Sequence, residues 1–328
     1  MSEPSSTPGP DAPADGTRPD APADGTRRRW IVGVSALAVV VVAGTTAWAL
    51  SGTGQEARPT PVAAAPSATP TPTPSRTPLP AVPARPSDAA LAALPLAFHD
   101  AVIGGLLDGS QVEAENRWTT ATPKTALVPL YASPDPDAAP VATLSSSVST
   151  LDTPTVTAVW DRSPGQDGGM VLVSTPARNR TPGDGGVATA PSATFAWARA
   201  ADFTLTGIDR VVRVDNQAST IAIVRRDGSV QTSEAARLGT PQDPTPTDTK
   251  TYMEANYVDP QVTYTQGHPI SLTGAHSATL AGYGGNAALT ALHYYPDPNG
   301  SSHGCVRISA AMTEALAGLP IGTPIEFS

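Results

Sequence analysis

The chain has 328 residues with 29 acidic and 20 basic side chains, giving a formal net charge of -9 and a sequence pI near 4.9. This acidic balance argues against a nucleic-acid-binding protein, because such proteins present a basic surface. The 36 prolines, the few aromatic residues and the abundance of Thr, Val and Ala favour a β-rich, turn-rich secreted protein.

The first 29 residues contain the nonapeptide PDAPADGTR twice in tandem, at positions 10–18 and 19–27. A repeat this polar and rich in proline cannot bury a hydrophobic core. We therefore expect residues 1–29 to form a disordered tail, which the charges that follow place in the cytoplasm.

Residues 30–50 form an uncharged apolar run, long enough to cross a hydrocarbon layer of about 30 Å as one helix. Trp30 and Trp48 lie near its ends, as interfacial aromatic residues do. Three arginines directly precede the run, and the next basic residue is Arg58. The positive-inside rule therefore predicts a single-pass protein of the cell membrane, with a cytoplasmic N-terminus and a C-terminal part that faces the cell wall. A cleaved signal peptide is the competing interpretation, but no clear small-residue cleavage site follows the run.

Residues 51–88 are dominated by Pro, Thr, Ala and Ser. This composition favours extended polyproline conformations, with a rise of about 3.1 Å per residue. We expect a linker that carries the rest of the chain up to about 100 Å from the membrane.

Residues 89–109 carry a helix-like apolar pattern that Pro95 interrupts. This pattern predicts one or two short helices in a segment that extends to residue 123. From residue 124 the pattern changes to short β-forming runs, which are separated by turn clusters such as SPDPD and TPGDGG. Five or so strands over residues 124–206 predict a small β-rich module, and their order resembles that of bacterial SH3-like wall modules. An alternative is that these strands extend the domain that follows.

A composition break near Gly207 begins the last domain, residues 207–328. Its opening residues predict three strands, with turns at Asn216 and at Asp227-Gly228. Four of the five histidines and the only cysteine of the chain lie in this domain. We therefore expect the reactive site here.

Cys305 is the candidate nucleophile. It lies in the sequence SHGCVR, residues 302–307, and an unpaired cysteine outside the cytoplasm is usually eliminated unless its reactivity is used. The alternative is a buried small hydrophobic residue, which free cysteines commonly are. Since a thiol attacks as the thiolate, its pKa of about 8.5 is expected to be lowered by a histidine or by nearby amides.

His293 and His303 are the two candidate bases for this thiol. We interpret the segment that ends at His293 as a strand, followed by a loop with two prolines and a glycine that folds back to Cys305. His303 is closer in sequence, but we expect its side chain to point away from the thiol. The sequence therefore favours His293.

Gly304 and Arg307 are candidates for binding the reacting group. Gly304 allows a close backbone approach, so the amides around Gly304 and Cys305 can donate to a developing oxyanion. Arg307 can bind a substrate carboxylate with two hydrogen bonds or stabilise its loop by ion pairing, and the sequence leaves both roles open.

No cofactor and no metal are predicted. The chain lacks a phosphate-binding glycine loop, an HExxH motif and a CxxC motif. A metal site formed by three histidines and the cysteine is an alternative, but its residues, His276, His293, His303 and Cys305, lack the short regular spacing of structural zinc sites.

The motif with its upstream histidine resembles the catalytic domain of L,D-transpeptidases, whose signature is a histidine followed later by Ser/Thr-His-Gly-Cys, a hydrophobic residue and Arg or Asn. The resemblance covers roughly residues 208–328, including the opening VVRVDNQASTIAIVRRDGSV and the closing LPIGTPIEF. It implies a mainly β protein with a β-sandwich-like C-terminal catalytic domain.

The resemblance also implies a chemistry, namely acyl transfer on peptidoglycan stem peptides. Cys305 would attack the peptide bond after the third residue of a donor tetrapeptide and release D-alanine, with His293 as the base. An amine of an acceptor stem would then take the acyl group in a 3→3 cross-link, and carbapenems would acylate the same thiol. The backbone carbonyl of Tyr294 would orient His293, while Ser302, His303, Gly304 and Arg307 would shape the acyl pocket and the oxyanion site.

Two rival functions remain open at this stage. The first is an L,D-carboxypeptidase of the same fold, in which water attacks the acyl-enzyme. The second is a wall-binding anchor, in which the β-rich module binds the wall and the cysteine domain is catalytically inactive.

Overall fold

The computed structural model describes residues 77–113, 116–148, 151–283, 285–297, 299 and 302–328. The predicted tail, the predicted membrane helix and most of the predicted linker lie outside these residues. Among the helices within the described ranges, none combines the length and the apolar character that a membrane crossing requires.

The described residues form a mainly β structure with two short α-helices, as the composition predicts. The helices are α1 (Asp88–Ala92) and α2 (Ala310–Ala317). Strands of the first part are β1 (Leu107–Asp108), β2 (Thr119–Pro123), β3 (Leu127–Tyr131), β4 (Pro140–Ser145), β5 (Ser147–Val148), β6 (Thr153–Pro154), β7 (Thr157–Ser163), β8 (Met170–Thr175), β9 (Thr194–Arg199) and β10 (Phe203–Gly207). Strands of the second part are β11 (Arg210–Asp215), β12 (Thr220–Arg225), β13 (Val230–Ala235), β14 (Thr249–Tyr257), β15 (Ile270–His276), β16 (Leu289–Tyr294), β17 (Val306–Ile308) and β18 (Pro324–Phe327).

The first sheet is antiparallel and follows the order β10-β2-β7-β8-β9-β3-β4, with β1 paired to β9. Its inner face buries small and branched side chains such as Val128, Leu130, Val159 and Val171. Strand β8 is buried along its whole length, because it lies in the middle of the sheet and is covered on both faces. The described part of this region holds more strands than the five or so that the sequence predicts, since several are only two residues long. Its likeness to SH3-like modules stays a prediction.

The second sheet follows the order β13-β12-β11-β18-β14-β15-β16-β17. The three strands predicted at the start of this domain are confirmed as β11, β12 and β13, with the turns at the predicted positions. Helix α2 begins after Ser309, whose side chain accepts a hydrogen bond from the Met312 amide, and it buries Met312 and Leu316 on the sheet. This helix covers the face of the second sheet from which Leu292 and Val306 project.

The predicted helical segment 89–123 contains an α-helix only at its start. Helix α1 ends before Pro95, whose ring cannot continue a helix. After it, Leu96 and Val102 form isolated bridges with Thr143 and Arg178 of the first sheet's region, and one 3-10 turn follows at Gly109–Gln111. The extended conformation is favoured here because it supplies backbone hydrogen-bond partners from neighbouring segments.

The last residues of the predicted linker pack against the first sheet. The Pro80 carbonyl accepts a hydrogen bond from the Gln166 amide, and the Arg85 side chain donates to the Leu127 carbonyl. The folded part of the chain therefore begins before residue 89.

The two sheets share a buried apolar cluster. Tyr252 of β14 packs with Trp160 of β7 and Phe195 of β9, and all three side chains are almost fully buried. Arg117, which precedes β2, forms an ion pair with Glu326 of β18 at 2.9 Å. The described residues accordingly all lie in one compact unit.

Candidate active site

The candidate site lies on one face of two adjacent strands. β16 and β17 pair in parallel, with Leu292 opposite Val306 and His293 opposite Arg307. Because side chains alternate along a strand, Leu292 and Val306 point into the core cluster beneath α2. His293, Cys305 and Arg307 therefore share the opposite face, which opens into a cleft.

Cys305 is partly exposed and lines this cleft. Burial of its sulfur raises the pKa of the thiol, while a hydrogen bond with the Ala291 backbone and the charge of Arg307 act in the opposite direction. The sequence argument expects a lowered thiol pKa, and the structure gives the reverse because the loss of solvation outweighs both favourable interactions. The thiol is thus protonated at neutral pH, and a base must remove its proton during attack.

His293 is the candidate base that the strand pairing brings to this face. It is 5% exposed, and its Nδ1 lies 2.8 Å from the carbonyl oxygen of Tyr294. A carbonyl oxygen only accepts, so Nδ1 carries the proton and Nε2 keeps a free lone pair. Burial lowers the pKa of His293, and the charges of Arg307 and Arg237 lower it further, while the hydrogen bond to Tyr294 opposes them. A neutral imidazole with an unprotonated Nε2 is the form that a general base requires.

His303 has a different partner. Its Nδ1 lies 2.7 Å from the Asp243 carboxylate, and its side chain is 68% exposed at the rim of the cleft. His303 lines the same cleft as Cys305, so the expectation that it points away from the thiol is wrong; residues two positions apart on an extended segment lie on the same face. Its bond to Asp243 ties it to the loop before β14, whereas His293 lies on the buried floor.

Ser302 and Gly304 shape the backbone on either side of His303. The buried Ser302 hydroxyl donates to the Cys305 carbonyl at 2.6 Å. Gly304 has a φ of +96°, and a Cβ at this position would lie 3.1 Å from the Pro244 carbonyl oxygen. The turn before Cys305 therefore requires a residue without a side chain.

Arg307 forms part of the cleft wall. Its guanidinium carbon lies 3.8 Å from the centroid of the Tyr295 ring, which is a close cation–π contact. Its backbone exchanges two hydrogen bonds of 2.9 Å with Arg237, and Arg237 Nη2 donates to the Tyr295 carbonyl at 2.8 Å. This arrangement positions a cation beside Cys305 and also holds the loop after β16.

Three tyrosines complete the cleft, which has a volume of about 410 Å3. Tyr264 and Tyr295 lie with ring centroids 5.4 Å apart, and Tyr264 is also 5.4 Å from the His293 ring. Tyr283 donates from its hydroxyl to the His303 carbonyl at 3.1 Å. Sequence reasoning did not assign these tyrosines to the site. Tyr283 carries a signal, since it lies in the glycine-rich stretch GYGG of residues 282–285, whereas Tyr264 lies in a short turn that no motif marks.

Of the four residues of the alternative metal site, His293, His303 and Cys305 line the cleft, whereas His276 does not. His276 is 1% exposed, and its Nε2 donates to the His99 carbonyl at 2.9 Å. Across the ranges that the structure describes, no group of three or more His, Cys, Asp or Glu side chains is arranged to hold a metal ion.

Comparison with known proteins identifies the family of this part of the chain. Residues 209–326 match the family model of the L,D-transpeptidase catalytic domain, which confirms the family that the motif predicts. A comparison with curated proteins finds no match to this chain.

Solved structures similar to parts of the chain include three proteins of low identity. Bd1075 of Bdellovibrio bacteriovorus is 20% identical with a TM-score of 0.29, over 37% of this chain and 47% of that one. An L,D-transpeptidase of Stackebrandtia nassauensis is 18% identical with a TM-score of 0.26, over 37% and 55%. An L,D-transpeptidase of Mycobacterium smegmatis is 18% identical with a TM-score of 0.29, over 48% and 90%. This chain spans about half the length of the first two.

Proposed function

We propose that this chain, whose residues 209–326 match the L,D-transpeptidase catalytic domain, is a peptidoglycan L,D-transpeptidase with Cys305 as nucleophile and His293 as base. The observation that carries the proposal is the parallel pairing of β16 and β17, which puts both side chains on the cleft face. The protonated thiol and the neutral imidazole are matched for this chemistry, because the imidazole can take the proton as the sulfur attacks.

The first step forms a thioester. The Cys305 sulfur attacks the carbonyl carbon of the third residue in a donor tetrapeptide, and His293 Nε2 takes the thiol proton. Backbone amides around Gly304 and Cys305 donate to the oxyanion that develops. The carbon–nitrogen bond then breaks, and the imidazolium returns its proton to the amine of the departing D-alanine.

The second step transfers the acyl group. The side-chain amine of a diamino acid on another stem attacks the thioester, His293 accepts a proton from this amine, and the Cys305 sulfur leaves. The product is a 3→3 cross-link. The aromatic cleft wall of Tyr264, Tyr283 and Tyr295 supports the binding of a peptide beside Cys305, because it offers an apolar surface against which a stem can pack.

Intact-mass measurement tests the acylation. The full chain is incubated with a carbapenem and, separately, with a tetrapeptide-stem muropeptide. We expect a covalent adduct with both, release of D-alanine from the muropeptide, and neither in Cys305→Ala. A correctly folded wild-type chain that forms no adduct and no product would refute the proposal and favour the inactive wall-binding anchor.

The products then distinguish the transferase from the carboxypeptidase. Dimeric muropeptides whose yield rises with acceptor concentration would support cross-linking. D-alanine release without dimers, at a rate independent of the acceptor, would instead identify an L,D-carboxypeptidase.

The proposal includes location in the cell membrane. Residues 30–50 would anchor the chain, residues 1–29 would be cytoplasmic, and the proline-rich linker would carry the folded part toward the wall. The test is membrane fractionation followed by protease treatment of intact cells. A chain that resists carbonate extraction and loses its C-terminal part to external protease would support this orientation, and release into the medium would contradict it.

A further inference from the structure

Arg178 is a buried cation whose guanidinium donates only to backbone carbonyls near the second sheet, between β15 and β16. It follows β8 of the first sheet, and none of its surface is exposed. Its guanidinium donates to the carbonyls of Asn286 at 3.0 Å, Ser277 at 3.2 Å and Leu280 at 2.6 Å. These three acceptors lie in the connection between β15 and β16, residues 277–288, which we name the cleft loop.

Burying the charge of Arg178 costs free energy, and the hydrogen bonds to these carbonyls offset part of that cost. Burial lowers the pKa of Arg178 to about 10, so the side chain stays charged at neutral pH. The ion pairs found among the described residues do not include one with Arg178, and the carbonyl dipoles compensate the buried charge instead. A planar guanidinium can reach three carbonyls at once. It therefore connects the beginning of the cleft loop, at Ser277 and Leu280, with Asn286 near the end of the loop.

The cleft loop has further contacts with the first sheet's region. Asn286 Nδ2 donates to the Asp100 carbonyl at 3.1 Å, and the Ala190 amide donates to the Ala278 carbonyl at 2.9 Å. Arg178 itself is held by hydrogen bonds between its backbone and those of Ala101 and Ile103. The loop is therefore attached to a scaffold outside residues 209–326.

The cleft loop also reaches the candidate active site. Tyr283 lies at its middle, lines the cleft and donates to the carbonyl of His303, two residues before Cys305. A continuous set of contacts thus runs from Arg178 through the loop backbone to Tyr283 and then to the segment that carries the nucleophile.

We propose that Arg178 is a positioning residue, through which the first sheet's region holds the cleft loop and Tyr283 in the geometry that admits a stem peptide to Cys305. This inference rests on the proposed function for the identity of the substrate. The contacts themselves predict that removing the Arg178 side chain loosens the cleft loop, which can be measured without any catalysis.

Hydrogen exchange on the full chain tests the coupling. In Arg178→Met, which keeps an unbranched apolar stem but removes all the guanidinium donors, we expect exchange of the cleft-loop amides to rise about tenfold. Exchange in β11 and β12 should stay unchanged. Arg162→Met is the matched control, because Arg162 is an exposed arginine of the same sheet region. Unchanged exchange in the cleft loop, or an equal rise in both regions, would overturn the inference.

Two reactions of Cys305 then separate positioning from general loss of structure. We expect acylation by the tetrapeptide stem to slow about tenfold in Arg178→Met, because misplacing a wall of the cleft by a fraction of an ångström affects a large substrate. Alkylation by iodoacetamide also requires the thiolate, but this small reagent does not need the cleft to admit a stem peptide, so its rate should hold or rise. Equal slowing of both reactions would show a merely structural role and overturn the inference.

A double-mutant cycle connects Arg178 to Tyr283. Tyr283→Phe should slow acylation in the wild-type background and have little further effect in Arg178→Met, while additive effects would overturn the inference.

If Arg178→Met does not fold, Arg178→Lys and Asn286→Ala replace it. In these variants we expect a smaller rise in cleft-loop exchange and a smaller slowing of acylation, with alkylation by iodoacetamide unslowed. A wild-type chain that is not acylated at all refutes the proposed function, whereas the exchange measurement still decides the coupling.

Discussion

At the residue scale, burial is the main cause of the pKa shifts of both Cys305 and His293, the proposed reacting pair. Burial raises the pKa of Cys305 and lowers the pKa of His293, so both groups are neutral at rest. The proposed pair therefore differs from a preformed thiolate–imidazolium pair, and proton transfer would accompany attack. Sequence reasoning identified both residue types, but the direction of the thiol shift depends on packing that no local pattern reports.

The first prediction concerns the pH dependence of acylation. Since the base must be neutral and its folded-state pKa is below the ordinary 6.5, the rate should fall only when the pH drops below 6.5. The measurement is the acylation rate from pH 4 to pH 9 by intact mass. His293→Gln should lose at least about a hundredfold in rate. An acid limb with a midpoint above 6.5 would contradict this assignment.

The second prediction concerns the turn before the nucleophile. Gly304→Ala places a side chain at a φ of +96° and at 3.1 Å from the Pro244 oxygen. We expect a loss of about 1–2 kcal/mol in the free energy of unfolding and slower acylation. Gly207→Ala is the control, because its added Cβ meets no atom within 4 Å. Equal stability of the two variants, measured by urea unfolding, would contradict the role of the turn.

At the element scale, local sequence predicts the strands of the site, whereas strand pairing decides which side chains meet in the cleft. The alternation of buried and cleft-facing residues in β16 follows from local pattern, and the segment that ends near His293 is a strand as predicted. The parallel register with β17 does not follow from local pattern, because it is set by the packing of Leu292 and Val306 beneath α2. Tyr264 reaches the site from a turn between two other strands, and only the sheet order brings it there.

The third prediction concerns His276 at the end of β15. Its burial, together with the charge of Arg178, lowers the pKa to about 3, while the unfolded chain has a histidine pKa of about 6.5. The unfolded state therefore binds the extra proton first, and stability is lost as the pH falls from 6.5 toward 3.

The slope of this loss is about 1.4 kcal/mol for each pH unit in that window. His276→Gln can keep the hydrogen bond to the His99 carbonyl without titrating. We expect a flatter dependence of stability on pH for this variant, measured by urea unfolding at pH 7, 6, 5 and 4. Parallel curves for the variant and the wild type would contradict the neutral, buried state of His276.

At the scale of the whole molecule, the two sheets act as one unit because they share a core. Tyr252 of the second sheet is buried against Trp160 and Phe195 of the first, and Gly274 leaves the space that the tyrosine ring fills. The contacts of Arg178 connect the same two regions beside the cleft. The segment that matches the family model is therefore packed against structure from outside that segment.

The fourth prediction follows from this shared core. We expect one calorimetric unfolding transition for the compact unit to which the described residues belong. Tyr252→Ala should destabilise it by about 3–5 kcal/mol, as truncation of a large buried side chain does. Val230→Ala, at an exposed position, is the control. Two separate transitions in the wild type would contradict a shared core.

The sequence by itself determined the β-rich class, the family of residues 209–326, the candidate nucleophile and the preferred base. These depend on composition, on alternation and on a short motif, all of which are local. The tertiary structure alone decided the raised thiol pKa, the tyrosine wall of the cleft and the connection from Arg178 to the cleft loop. Those features arise from contacts between residues that are distant in the chain, from 20 positions for Tyr283 and His303 to 102 positions for Arg178 and Leu280. Such contacts follow from the order and packing of the strands and not from neighbouring residues in the chain.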